Sequence, residues 1–137
     1  MARILVSDGM AKKAIEMLKE VGFEVTEKHY SHEELLSGIL NNYDAIVVRS
    51  ATKLTEKVLS TIENEKGIRF IGRAGVGIDN INLEEASRRG ILVCNTPQSS
   101  TQSVVELTIG HLITSTRYIA KGDIKLIENN WANKELR

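Results

Sequence analysis

The chain has 137 residues, with 18 Lys plus Arg set against 18 Asp plus Glu, a length that suits one domain, or one and a part, and is short for an enzyme needing two lobes. Zero formal charge removes the global field that would draw nucleic acid or an anionic membrane, so any anion site must be local. One cysteine, Cys94, excludes an internal disulfide, no Cys/His spacing suggests a metal, and no apolar run reaches secretory or membrane-spanning length, so a soluble protein of the reducing cytoplasm is expected.

Five short apolar runs punctuate the first 97 residues: "RILVS" at 3, "FEVTE" at 23, "YDAIVVRS" at 43, "IRFIGR" at 68 and "ILVCNT" at 91. The unbroken apolar character of Ile46, Val47 and Val48 predicts strands covered on both faces, as in parallel sheets. Between the first two runs, Met10, Ala14, Met17, Leu18 and Val21 form a helical stripe that Gly22 can close with a left-handed cap. "SHEE" at 31 is a capping box from Ser31 to Glu34, opening a helix expected to bury Leu35, Leu36, Ile39 and Leu40. Leu54, Thr55 and Leu59 read as staple, cap and staple partner of a third helix. Asn82 and Glu85 open a fourth, short one that Gly90 ends. Strand and helix alternating with right-handed crossovers give an α/β, doubly wound, five-stranded parallel sheet of flavodoxin-like order 2-1-3-4-5. Ligands of such sheets collect at the carboxyl ends of the strands: Ser7-Asp8, Arg49-Ser50, Arg73 to Gly77 and Asn95-Thr96.

After Pro97 the character changes. "QSSTQS" is a polar connector into a helix of about 17 residues or more, longer than usual for globular proteins. Val105, Ile109, Leu112 and Ile119 form its stripe, Val104 and Leu107 widen it, and Gly110, Thr114 and Ser115 permit close packing on another side. That is too much apolar helix for one partner surface, so self-association through it is expected. The tail "IKLIENNWANKELR" adds an amphipathic turn or two, with Trp131 its largest apolar group.

Arg49 and Arg73 each end an apolar run, where a neutral residue would cost less to bury. Guanidinium forks pair with carboxylate or phosphate at two points, and the amides of a glycine-rich turn can add an anion nest beside them. Together they describe a pocket for a small acid. Against it stands a bland alternative, in which each arginine snorkels or pairs with a carboxylate such as Asp79 or Asp44. "GRAGVGIDN" at 72 opens like a dinucleotide loop, but the place of the third glycine holds Asn80, so the fingerprint fails. Gly75 and Gly77 then make a tight turn, with Asp79 and Asn80 closing it by side-chain to backbone bonds. Glu106 fits a capping carboxylate for Ser103, while Ser100 and Thr101 are equally good caps whose hydroxyls could also hold a ligand carboxylate. His29, His32 and His111 are far apart, so no His–carboxylate couple is readable, and Cys94 within an apolar strand is expected to be buried and inert.

"VVRSATKLT" at 47, "IRFIGRAGVGIDNINLEEASRRGILVCNTP" at 68 and "VELTIGHLI" at 105 together resemble the D-isomer-specific 2-hydroxyacid dehydrogenases, in order and spacing, over nearly the whole chain. The resemblance implies a substrate-binding domain over residues 1–97, then a hinge and the first helices of a nucleotide-binding (Rossmann) domain over 98–137. It implies that Arg49, Ser50 and Arg73 line the site of a small phosphorylated hydroxy acid. The amides of Gly75 and Val76 would receive the substrate carboxylate, Val76 would also lie beside the nicotinamide of NAD, and Ser100 and Thr101 would stand at the hinge edge of the site. The family usually has Gly-Asn where this chain reads Ser99-Ser100, which weakens the carry-over to Ser100. It places the dinucleotide loop and the catalytic Arg, Glu and His beyond the point matching Arg137, so no catalytic residue is expected here, the chain alone should be inactive, and a homodimer should form through the helices after residue 100. The resemblance extends to lactate-type and glyoxylate-type members. A non-catalytic small-acid-binding module is a different reading, and a phosphoreceiver domain is disfavoured because the third strand ends in Arg49 rather than an aspartate.

Overall fold

The computed structural model describes residues 1–63 and 66–128, so Trp131 and the rest of the tail lie outside the described residues. The chain divides into two compact units, Met1–Gln98 and Ser99–Arg137. In the first, β1 (Arg3–Val6), β2 (Glu24–Glu27), β3 (Ala45–Val48), β4 (Phe70–Arg73) and β5 (Leu92–Asn95) form one sheet in the order β2-β1-β3-β4-β5. Every pairing is parallel, and the flavodoxin-like order expected from the run pattern is borne out.

The register aligns Leu5, Ile46, Ile71 and Val93 across the four strands from β1 to β5, and this row carries the main core. Leu5, Ile46, Val48 and Ile71 are wholly enclosed, each worth about 1.5–3 kcal/mol of burial. Leu35 and Leu40, then Leu54, Val58, Leu59 and Ala86, belong to the same cluster. They come from α2 (His32–Leu36), a 3-10 turn (Ile39–Asn42), α3 (Glu56–Leu59) with Leu54 two residues before it, and α4 (Leu83–Arg88).

Local signals account for the helix starts. Ser31 and Glu34 make both bonds of their capping box, Thr55 Oγ1 accepts from the Val58 amide, and Asn82 Oδ1 accepts from the Glu85 amide at 2.8 Å. Glu85 does not act as a cap: its buried carboxylate is held by Arg88 and by Arg89 Nε, and Arg89 Nη1 also reaches the Ile62 carbonyl at 2.7 Å.

Three expectations need correction. In α1 (Lys12–Glu20) the buried side chain is Ile15, whereas Met17 and Val21 of the expected stripe are 57% and 74% exposed. A second apolar phase, Ile15 with half-buried Ala14 and Leu18, faces the sheet. The second helix breaks at Gly38, which takes φ 81°, so Leu36 points outward while Leu40 returns to the core from the 3-10 turn. Cys94 is exposed rather than buried. It shares a sheet face with Phe70 and Leu92, across the register Phe70↔Leu92 and Gly72↔Cys94. That end of the sheet lies uncovered among the described residues, with Leu92 61% exposed.

The second unit comprises α5 (Thr101–Thr116) and α6 (Ile119–Ile127), separated at Tyr118, which adopts φ 54°. Neither helix buries a residue. Among the described residues no helix is long and apolar enough to cross a membrane.

Candidate functional site

The carboxyl edge of the sheet gathers the ends of β1, β3 and β4. Residues 49–52 leave β3 there, and their backbone is gripped from two sides. Asp8, just past β1, accepts from the Arg49 amide at 2.8 Å, the Thr52 amide at 3.0 Å and the Thr52 hydroxyl at 2.5 Å. From the other side Asn80 Nδ2 donates to the carbonyls of Arg49 at 2.8 Å and Thr52 at 2.7 Å. Asn80 therefore ties the neighbouring loop rather than closing its own turn.

With its backbone fixed, this loop leaves Arg49 and Ser50 exposed. Neither carboxylate of the bland alternative seals Arg49: Asp44 accepts from the Arg3 amide at 2.6 Å, and no ion pair among the described residues includes Arg49 or Arg73. Arg49 borders a cavity of about 500 Å³ with Asp8, Gly9, Met10, Ala11 and Ala74. Ser50 opens onto a different cavity of about 450 Å³, shared with Lys53, Asp79 and Asn82.

Arg73 pairs in register with Val48, so it ends the adjacent strand on the same edge. Strand alternation puts its side chain on the core face and Ala74 on the side of the Arg49 cavity. The two arginines share an edge, and Arg73 is not among the residues that line the Arg49 cavity. Arg73 instead folds over Gly75, where an added Cβ would sit 1.5 Å from its Nη1. Its Nε is buried with no acceptor, and a donor left so normally costs about 1–3 kcal/mol.

The turn after β4 is also tied down, by Asn95 Nδ2 to the Val76 carbonyl at 2.7 Å and the Thr96 amide to the Gly75 carbonyl at 3.0 Å. The Gly75 amide turns back to the Arg73 carbonyl at 2.9 Å. Of the two amides the resemblance assigns to a carboxylate, only that of Val76 is without an acceptor among the described residues; Val76 itself is 48% exposed. Ser100 and Thr101 belong to the second unit. Ser100 caps α5 through its carbonyl, which accepts from the Val104 amide, and its hydroxyl makes no cap bond. Glu106 accepts from Gln102 Nε2 at 2.9 Å rather than from a capping amide.

One His–carboxylate couple was not legible in the sequence. The Asp8 carboxylate is 3% exposed and lies 3.4 Å from His29 Nδ1. Burial pushes its pKa up, but the Thr52 hydroxyl and amide, the Arg49 amide and His29 together outweigh it, so the carboxyl titrates below its usual range. Asp8 and Thr52 are 44 residues apart in sequence, and no local pattern announces such a pair. A cavity of about 140 Å³ on that side is lined by His29, Tyr30, His32, Thr52 and Lys53.

The glycine turn offers no pyrophosphate cradle. Asn80 holds the position of the third glycine with its amide committed to carbonyls, and the Gly75 N–H is spent inside the turn. Among the described residues no group of three or more His, Cys, Asp or Glu could hold a metal. Among the described residues the edge presents the exposed Arg49 guanidinium and the Arg73 guanidinium over a glycine, with the open Val76 amide beside it, all donors of the kind an anion accepts from.

Residues 4–137 match the family described as D-isomer specific 2-hydroxyacid dehydrogenase, catalytic domain, and the chain belongs to that family. It is 40% identical over 136 residues to a hydroxypyruvate reductase of Thermotoga maritima, covering 98% of this chain and 43% of the relative. It is 41% identical over 137 residues to a D-3-phosphoglycerate dehydrogenase of Methanocaldococcus jannaschii, covering all of this chain and 25% of the relative. Among solved structures, an NAD+-bound 3-phosphoglycerate dehydrogenase of Entamoeba histolytica aligns with a TM-score of 0.67 and 31% identity, over 85% of this chain and 39% of that one. The chain thus spans less than half the length of these relatives.

Proposed function

We propose that this chain is the substrate-binding part of an NAD-dependent dehydrogenase that oxidises D-3-phosphoglycerate to 3-phosphohydroxypyruvate, the reaction that opens phosphorylated serine biosynthesis. The observation that carries the reading is the exposed Arg49 guanidinium. It has no partner among the described residues and stands beside a cavity at the carboxyl edge of the sheet. A cationic fork left free on a backbone held by four hydrogen bonds from two side chains suits a phosphate or carboxylate better than water. In this reading Arg49 takes the phosphate end. Arg73 and the Val76 amide take the carboxylate, and the exposed Val76 side chain lies on the side of the nicotinamide. NAD supplies the hydride acceptor; the residues of this chain bind and orient the acid.

Residues 1–97 form the substrate-binding domain in this reading, and 98–137 the hinge and the first helices of a nucleotide-binding domain. The exposed apolar residues of α5 and α6 favour a homodimer made through them, in a cytoplasmic protein. A second reading has its own support in the 40% identity to the hydroxypyruvate reductase: a family member whose substrate carries no phosphate.

Calorimetric titration separates the two. 3-Phosphoglycerate and glycerate are titrated into the chain and into its Arg49→Ala variant. The phosphoglycerate reading expects heat from the phosphorylated acid alone, reduced roughly tenfold or more in affinity by the variant. Equal affinity for both acids moves the reading to an unphosphorylated substrate. Equal affinity of wild type and variant removes Arg49 from the site.

A further inference from the structure

A buried carboxylate in the wall of an anion cavity is electrostatically misplaced unless its charge is engaged elsewhere. Asp8 borders the same cavity as Arg49, yet its side chain is 3% exposed and meets three donors of the 49–52 loop rather than the guanidinium. The proton order of the cluster follows. The single Thr52 hydroxyl proton goes to Asp8 Oδ1, so in the 2.7 Å contact between Ser7 Oγ and Thr52 Oγ1 the serine must donate. Ser7 and Thr52 are 4% and 2% exposed, so the relay from Ser7 through Thr52 to Asp8 is shielded from water.

We infer that Asp8, working with Thr52, is a positioning residue of the anion site: its carboxylate locks the 49–52 backbone from the β1 side so that Arg49 is presented pre-aimed at the ligand. The inference rests on the proposed reading of Arg49 as the anion ligand. Asn80 performs the complementary half from the β4 side through the two carbonyls, which leaves the loop little freedom to lose when the ligand arrives. A depressed carboxyl pKa at Asp8 agrees with a carboxylate that stays ionised in this role.

The sign of one measurement separates positioning from simple electrostatics. Asp8→Asn removes a negative charge near Arg49, so a purely Coulombic site would bind phosphate more tightly. Positioning requires the opposite, a loss of roughly tenfold, the size of one charge-assisted hydrogen bond. Thr52→Val keeps the shape and deletes the hydroxyl, while Thr52→Ser keeps the hydroxyl. The valine variant should weaken binding of inorganic phosphate and 3-phosphoglycerate, and serine should restore it.

Hydrogen exchange at the Arg49 and Thr52 amides, followed by NMR without any ligand, supplies an independent readout. Asp8→Asn and Thr52→Val should speed it by roughly tenfold, with Thr52→Ser near wild type. Tighter phosphate binding by Asp8→Asn, or exchange at both amides unchanged in Thr52→Val, overturns the inference. If wild type binds neither phosphate nor 3-phosphoglycerate, the reading of the site falls while the exchange data still decide whether Asp8 holds the loop. Should Asp8→Asn fail to fold, the valine and serine pair decides alone.

Discussion

The two units of this chain use similar apolar content to opposite ends. In the first, the strands and short helices enclose a contiguous cluster from Leu5 to Ile91, and several of its members have no exposed surface. In the second, α5 and α6 carry Val105, Ile109, Leu112, Ile124 and others, all roughly half exposed or more, and bury none of them. Apolar periodicity states that a face requires cover. It does not state who provides it, and in the first unit the chain answers that need with its own sheet.

The sharpest test of this difference is truncation of one large apolar residue in each unit. Ile46→Ala removes most of a side chain with 0% exposure, and should cost about 2–5 kcal/mol in a urea melt. Leu112 is 63% exposed, and Leu112→Ala should shift the same melt by no more than about 0.5 kcal/mol at concentrations where the chain is monomeric. Comparable losses at the two positions would mean that Leu112 has a partner within the chain.

The next test concerns the uncovered helices. If a second copy covers them, Leu112→Arg should move the mass seen by light scattering from dimer to monomer and leave the melt of the first unit in place. A wild-type chain that stays monomeric at high concentration removes the dimer proposal.

Gly75 probes how closely the first unit is fitted around its candidate site. A Cβ there would meet the Arg73 guanidinium at 1.5 Å. Gly75→Ala must therefore push the far end of Arg73 aside, and the backbone at φ 155° adds strain for any residue with a side chain. Because the displaced atoms end a flexible chain, the stability loss should stay near about 1 kcal/mol, whereas affinity for 3-phosphoglycerate should fall roughly tenfold. Unchanged affinity would place the Arg73 guanidinium outside the site.

Legibility in the sequence followed the same division. The five strands were readable because each is a short run of β-branched and apolar residues, and the starts of α2, α3 and α4 because Ser31, Thr55 and Asn82 act on amides three residues away. Interactions of that range leave a local trace. The facing of α1 did not, because two apolar phases overlap at Ala14 and Leu18 and only the sheet selects the one containing Ile15. Cys94 was misread since its strand looks like a covered one, and the exposure of Leu92 and Cys94 depends on what lies over that part of the sheet. At the candidate site, Arg49 and Arg73 could be picked out as charges ending apolar runs. The clamp of Asp8 and Asn80 on residues 49–52 spans separations of 28 to 44 residues and becomes visible only once the strands are in register.

The smallest expected effect concerns acid stability. Asp8 is ionised more readily in the folded chain than an ordinary carboxyl, its burial being outweighed by Thr52, Arg49 and His29. The unfolded chain, with a carboxyl pKa of about 3.9, therefore binds more protons in acid than the folded one does. The stability Asp8 contributes is fully present above that value and is lost as pH falls through the lower folded one. Glu34 and Glu85 shift in the same direction, Glu34 through the Ser31 amide and hydroxyl, Glu85 chiefly through Arg89 against opposing burial and then through Arg88, so a wild-type acid melt sums several groups. Thr52→Val isolates one of them. Deleting the hydroxyl removes a donor to the ionised form and leaves the burial, so the Asp8 carboxyl should titrate higher by NMR, and the acid-dependent part of the stability should shrink while the shares of Glu34 and Glu85 persist. An unmoved Asp8 titration in that variant would show that the Thr52 hydroxyl does not hold the carboxylate, and the grip on the Arg49 loop would then have to come from the Asn80 side.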